Sequence, residues 1–459
     1  MERRTFLKIL SSAGIVSLVS PTFAMEVCKN KVSKSSSALL ESAFRNPPFS
    51  SGVYTWWHWM NGNITKDGIT RDLEAMKANG IAGYQLFEAG SGIPIGPVES
   101  LSDEWVDLIL HTLKESERLG LEFAMHNCPG WSSSGGPWIT PDKAMQIITW
   151  SETKITGGKQ VRIQLPTPKH MFDYYIDTYC LAIPANMKVI PRLSILELSN
   201  RLDKDGVLTW DVPTGEWLIM RFGQTAKDQK NKSAPSKSTG LDCDKFSTEA
   251  LDYHLNCMFK RLMPAMEKIA KHSKIGLLID SYETGDQDWT SDMPAYFEQS
   301  HGYELYPFLP VLANKIVESE ESTKRFLFDF RRVRADMFAE RYYGHFQKRC
   351  KEKGIITYTE PYGGNMMEEL QVAQQLDINM GEFWCGQTVL WANYKYNRTV
   401  KQVASIAHTL GGKVVGAEAF TSEPDADKWL QYPYALKSLG DYMFTRGLSR
   451  IYFHRFAHQ

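Results

Sequence analysis

Short apolar runs alternate along this chain with amphipathic stretches that carry helix start and stop signals. "GVYTWWHWM" is followed by "TKDGITRDLEAMKANG", which Gly80 closes, and "IAGYQLFE" (81–88) by "SDEWVDLILHTLKESERLG". In the second helix Ser102 is a natural N-cap, apolar residues at 105, 108, 109 and 113 share a face, and Gly120 ends the pattern. "LEFAMHN" (121–127) reads as a third strand, "GLLIDS" (276–281) as a fourth and "IITYTEPY" (355–362) as a fifth. "DINMGEFW" (377–384), "KVVGAEAF" (413–420) and "RIYFHRF" (450–456) complete a series of eight, with helical patterns over 322–353, 366–375, 395–410 and 427–446 between them. Eight strands alternating with helices predict an α/β protein, a (β/α)8 barrel of the TIM type. A doubly wound open sheet is the rival, but no Gly-x-Gly-x-x-Gly turn follows the first strand.

One stretch breaks the alternation. From 151 to 240 the pattern becomes strand-like, in "KQVRIQLP", "DTYCLAIPA", "KVIPRLSILEL" and "GEWLIMRFG", with turns at Gly157-Gly158, Asp205-Gly206 and Pro213-Thr214-Gly215. This predicts a small β-rich insertion after the third strand. A polar loop, "TAKDQKNKSAPSKSTG" (225–240), and a helix from about Ser247 lead back. The expected division is therefore 45–150 for the first part of the barrel, 151–240 for the insertion and 241–459 for the second part. With Gln459 directly after strand eight, the last barrel helix is expected to be missing.

The N-terminal residues follow another logic. "ERRTFLK" sets paired arginines before "ILSSAGIVSLVS", and "PTFA" ends in small residues suited to cleavage near Ala24. Residues 1–24 thus resemble a twin-arginine export signal, with 25–44 as a linker and a periplasmic or secreted destination. The apolar stretch is too short and serine-rich for a comfortable span, so no membrane segment is expected in the mature protein. The Met-Glu-Val before Cys28 does not resemble a lipid-attachment box. Seven scattered cysteines without a Cys-x-x-Cys pair give neither a zinc site nor a disulfide framework.

A chain of 459 residues, 43% hydrophobic and 23% charged, can bury a large core. Its net charge of −1 argues against nucleic acid or an anionic membrane as partner. An aromatic share of 12%, with 13 tryptophans, leans toward carbohydrate, provided some tryptophans stand at loop mouths.

A barrel of this kind places its chemistry at the carboxyl ends of the strands. Those ends read Trp56, Trp57, His58, Glu88, His126, Asn127, Asp280, Glu283, Glu360, Tyr362, Glu382, Trp384, Glu418 and His454. Six are carboxylates, expected to converge on one rim, where like charges raise one another's pKa or recruit a cation. Glycoside cleavage needs one protonated carboxyl at the leaving oxygen and one ionised carboxylate on the opposite face. Glu283, beside Asp280 and Tyr282, suits the first role, and Glu418 on strand seven suits the second. The spacing of strands four and seven favours the inverting separation of ~6.5–9.5 Å. No His-Glu-x-x-His or comparable series supports zinc, whereas surplus carboxylates suit calcium. His58, His126 and His454 are read as hydrogen-bond donors to hydroxyls. "GWSSSGGPW" (130–138) offers a loop that closes Trp131 and Trp138 over a sugar; no Gly-x-Ser-x-Gly elbow surrounds its serines.

Several blocks resemble glycoside hydrolase family 106, the α-L-rhamnosidases. They are "WWHWMNGNITKDGITRDLEAMKANGIAGYQLFEAG", "NCPGWSSSGGPWITPDKAM", "STGLDCDKFSTEALDYH", "DSYETGDQDWT", "GEFW" and "GAEAFTS". The resemblance implies a (β/α)8 catalytic domain, calcium dependence, and inverting release of terminal α-L-rhamnose from an oligosaccharide or glycoside. It implies Glu283 as general acid and Glu418 as base, with Glu382 competing for the latter role. Asp280 and Glu382 would touch sugar or calcium; Trp57, His58, His126, Trp131, Glu360, Trp384 and His454 would line the sugar site. Family members usually continue into β-sandwich modules, so this chain departs from them by ending early. Two other readings compete: a catalytically inactive rhamnoside-binding protein, and a glycosidase for another deoxysugar.

Overall fold

The computed structural model describes residues 34–458, apart from 133, 386–388, 413, 423–426 and 429. The export segment expected over 1–24 lies outside them. The chain forms two units, divided after Gly52. In the first, a helix, Lys34–Arg45, occupies the second half of the stretch expected to be linker, with Leu39, Leu40 and Phe44 exposed.

The second unit is a (β/α)8 barrel. Its strands are β1 (Val53–Met60), β2 (Ile81–Ala89), β3 (Glu122–His126), β4 (Ile275–Ile279), β5 (Ile356–Thr359), β6 (Ile378–Trp384), β7 (Val415–Thr421) and β8 (Arg450–Ala457). All neighbours pair in parallel, and β8 returns to β1 through Tyr54↔Tyr452 and Thr55↔Phe453, closing the ring. Helices cover the outside and side chains fill the inside, which explains why these strands are apolar on both faces. The helix caps are local chemistry: Ser102 Oγ accepts the N–H of Trp105 at 3.2 Å, and Gly120 takes the left-handed conformation at φ 66°.

The barrel floor is packed with aromatic rings. Tyr54 and Tyr358 both pack against Tyr452, with centroids 5.1 and 6.4 Å away, and the Arg450 guanidinium lies 4.3 Å from the Tyr54 ring centroid. Glycines on neighbouring strands make room for them. A Cβ at Gly276 would come within 2.3 Å of the Tyr358 ring, and one at Gly416 within 3.0 Å of Tyr452. Large and small residues thus alternate around the ring so that the interior fills without overlap.

Between β3 and β4 the chain builds a four-stranded antiparallel sheet in the order Gln146–Thr156, Glu216–Ala226, Ile176–Pro184, Leu196–Glu197. A two-stranded ribbon of Lys159–Gln164 and Val207–Val212 accompanies it. Their alternating apolar positions enclose a core of Leu165, Cys180, Leu208, Trp210, Val212 and Ile219. The loop that leaves this module runs back over the ends of β2, β3 and β4, so its side chains reach the barrel mouth.

Candidate active site

Strand alternation decides which side chains enter the barrel. On β1, Trp56 and His58 point inward: the Trp56 ring lies 4.4 Å from Phe87, 5.4 Å from His454 and 6.0 Å from His58. Trp57 and Trp59 have the opposite parity. Trp57 is wholly buried between strand and helix, donates from Nε1 to Asp72 Oδ2 at 3.1 Å and packs edge-on to Tyr84. The expectation that Trp57 touches sugar is therefore corrected; Trp56 is the tryptophan of that pair facing the interior.

The same parity removes Glu88 from the expected six carboxylates. It points outward from β2, beside Trp59, Trp105 and Met258, and accepts a hydrogen bond from Ser100 Oγ at 2.7 Å. Burial raises its pKa to about 7, from 4.5. A carboxyl so raised contributes stability that is complete below the unfolded value and is lost as pH climbs to the folded one. Glu88→Gln, which cannot ionise, is expected to gain on the parent protein by about 1.4 kcal/mol per pH unit between those limits. Melting temperatures of the two proteins across pH 4–8 check this; a constant difference would show that Glu88 does not titrate there.

Five carboxylates remain at the mouth. Asp280 and Glu360 follow β4 and β5 side by side and are almost fully buried. Burial pushes both well above the usual carboxylate range; the charges of Glu283 and Glu382 add to this at Asp280, and those of Asp280, Glu418 and Glu382 at Glu360. Asp280 Oδ1 and Glu360 Oε1 have no hydrogen-bond partner among the described residues, and the Tyr362 hydroxyl donates to Glu360 Oε2. A proton shared between the two, or a cation, answers that arrangement. Glu382 and Glu418 are register partners on β6 and β7. Trp384 Nε1 donates to Glu382 Oε1, and Thr421 Oγ1 donates to Glu418 Oε1. Burial raises Glu418, and the charges of Glu382, Asp280 and Glu283 add to that. The charge of Glu283, in the loop after β4, thus reaches Glu418 on β7.

Glu283 differs from the other four. It is 36% exposed, and its Oε2 accepts from the Lys232 ammonium and, at 3.4 Å, from Trp131 Nε1. Its sequence neighbour Tyr282 turns away to pack on Phe338, the hydroxyl donating to Gly285 O. Trp131 thus stands at the mouth, but Trp138 does not: its Nε1 meets His254 Nδ1 at 3.3 Å.

The histidines divide as well. His126 is committed to structure, its Nδ1 facing Cys128 O at 3.0 Å and its Nε2 accepting the N–H of Asp280 at 3.4 Å. Burial lowers its pKa to about 4, so it is a neutral ring that orients the Asp280 backbone. Its expected role as a sugar ligand is corrected accordingly. His58 and His454 face each other 5.7 Å apart on the inner wall, and burial holds both below the usual histidine range. Neutral imidazoles there can hydrogen-bond hydroxyls, and His58 Nε2 has no partner among the described residues.

Support comes from behind β3. Asn127 donates to Leu278 O at 2.9 Å and accepts from Ser134 Oγ at 2.5 Å. Ser134 also meets the Tyr342 hydroxyl at 2.6 Å, which a widened π-helical turn, Phe338–Gly344, presents. The wholly buried Lys245 pairs with Asp242 at 2.5 Å and fills the space beneath. For calcium, the buried carboxylate oxygens have the right hardness and Asp280 Oδ1 is unpartnered. However, no three His, Cys, Asp or Glu side chains among the described residues already converge on one point.

Lys232 and Arg455 were not anticipated. Lys232 sits in a loop without periodicity, and Arg455, on β8, lies in electrostatic reach of Glu418. The parity of β1 was the available signal for Trp56.

Comparison with known proteins agrees with this fold. The fold matches the structure of a rhamnosidase from Novosphingobium sp. PP1Y with a TM-score of 0.82 at 24% identity, over 92% of this chain and 56% of that one. A protein of Formosa agariphila, provisionally named beta-glucuronidase, is 41% identical over 451 residues; the chain spans 38% of its length. The alpha-L-rhamnosidase family, glycoside hydrolase family 106, matches residues 45–178 and 169–459, and the chain belongs to that family.

Proposed function

We propose that this chain carries the catalytic barrel of an exported, inverting α-L-rhamnosidase acting on a rhamnose-containing oligosaccharide or glycoside. The observation that supports the reading is the placement of Glu283 in the loop after β4 and of Glu418 on β7, at the carboxyl ends of barrel strands, with the charge of Glu283 reaching Glu418. In this reading Glu283 gives a proton to the leaving oxygen, and Glu418 takes one from the attacking water. The proton on Glu418 returns to solvent, and Glu283 is reprotonated from it, so one water is consumed per bond broken. Trp131 offers a ring face at the entrance, while Trp384, His58 and His454 line the walls. Calcium, when bound, would supply positive charge among these carboxylates, with Asp280 and Glu382 holding it, and so favour ionised Glu418. Paired arginines ahead of an apolar stretch support export; among the described residues no helix is long and apolar enough to cross a membrane.

A second reading has its own observation. Lys232 and Arg455 place two cations at the mouth, and a relative carries a β-glucuronidase name, so a uronate is the alternative sugar. Chromogenic α-L-rhamnoside and β-D-glucuronide, each with and without a calcium chelator, test both. Hydrolysis of the rhamnoside, lost with chelator and restored by calcium, is expected. Cleavage of the glucuronide alone would overturn the sugar assignment, and chelator-resistant turnover would remove calcium.

A further inference from the structure

We propose that Lys232 is a positioning residue for Glu283, and that the loop over 225–240 belongs to the catalytic machinery. The inference rests on the reading of Glu283 as the proton donor. A half-exposed carboxylate at a loop has several side-chain conformations, of which few direct an oxygen at a leaving group. Here two N–H donors from separate loops meet on one atom: the Lys232 ammonium and Trp131 Nε1 both reach Glu283 Oε2. Ser281 Oγ, 3.4 Å from Oε1, borders the other oxygen.

The backbone behind Lys232 is pinned from all sides. Trp131 N donates to Lys232 O at 3.3 Å, Lys232 N donates to Ser132 Oγ at 2.8 Å, and Gly90 N donates to Ser233 O at 2.7 Å. Asn231 Nδ2 donates to Pro129 O at 3.0 Å, and Gly285 N donates to Gln229 Oε1 at 3.2 Å. The β2, β3 and β4 loops are thereby buckled together through this one segment. Gly130 is a condition of the arrangement: its φ is +85°, and a Cβ there would lie 2.1 Å from Lys232 O. So many fixed contacts serve a pair whose two side chains are 52% and 36% exposed. Exposed ion pairs add little to folding stability, so stability does not account for them. Orientation does, because a displacement of about 1 Å in a reacting group costs ~10²-fold in rate.

The test uses the full chain, with Lys232→Met, Lys232→Arg and Gly130→Ala, on two rhamnosides. One carries p-nitrophenol, which leaves without full protonation, and the other an alkyl or sugar alcohol, which needs it. Lys232→Met is expected to lower kcat on the poor leaving group by ~10–100-fold. KM and the p-nitrophenyl rate should change less than about threefold, with an unmoved melting temperature. Lys232→Arg should restore most of the loss, and Gly130→Ala, which does not reach Glu283, should reproduce the leaving-group dependence of Lys232→Met, with a lowered melting temperature. Equal losses on both substrates, or an arginine variant no better than the methionine one, would overturn the proposal. Should Glu283→Gln show no leaving-group dependence, the proton-donor reading fails separately. Crystal structures then decide the positioning, since an unmoved Glu283 carboxylate in Lys232→Met contradicts it and a displaced one supports it.

Discussion

Glu283→Gln is expected to slow hydrolysis of an alkyl- or sugar-linked rhamnoside by about 10²–10⁴-fold. The amide cannot supply a proton, yet its oxygen still accepts from Lys232 and Trp131, so the loop geometry around it should persist. The loss should therefore fall on chemistry rather than on folding or binding: kcat drops, KM stays, and the melting temperature is unchanged. p-Nitrophenyl rhamnoside should lose far less, because its leaving group is stable as an anion. Rates for a series of aryl rhamnosides, plotted against leaving-group acidity, should be steep for the variant and shallow for the parent. Equal slopes would take the proton donor away from Glu283.

Glu418→Gln should cost a similar factor, about 10²–10⁴-fold, but evenly across leaving groups, since every substrate needs an activated water. Nuclear magnetic resonance of the first-formed sugar in the parent enzyme should show β-L-rhamnose, the inverted anomer. Glu382 is the control. It pairs in register with Glu418, and its charge helps to hold Glu418 above the ordinary range. Glu382→Gln should weaken calcium binding, and with calcium saturating it should move the acid limb of the rate profile down, because Glu418 loses the repulsion of its register partner. If instead Glu382→Gln shows the leaving-group-independent loss and Glu418→Gln does not, the base is Glu382.

Much of this architecture is legible in the amino-acid pattern, and the failures have a physical reason. Strands covered by helices outside and packed by side chains inside are apolar on both faces, so they announce themselves as runs while concealing which face is which. "WWHWM" identifies β1 but does not say that Trp56 enters the barrel and Trp57 leaves it. Glu88 was misplaced for the same reason. A carboxylate at a strand end suggests the mouth, although the parity of β2 sends it to the helix layer. His126 and Asn127 stand where expected, but backbone groups that no pattern reveals take up their hydrogen-bonding capacity. Lys232 was the hardest to foresee, because its position depends on a loop returning across some hundred residues of chain to Gly130 and Trp131.

The tyrosine-packed floor has a kinetic consequence. With Tyr54, Tyr358 and Tyr452 stoppering the far end of the ring, the cavity is a blind cup, and a released sugar must depart through the opening by which the next chain arrives. Free monosaccharide should then compete directly with incoming substrate, and a glycan should be trimmed from its tip, since no interior stretch of it can thread through.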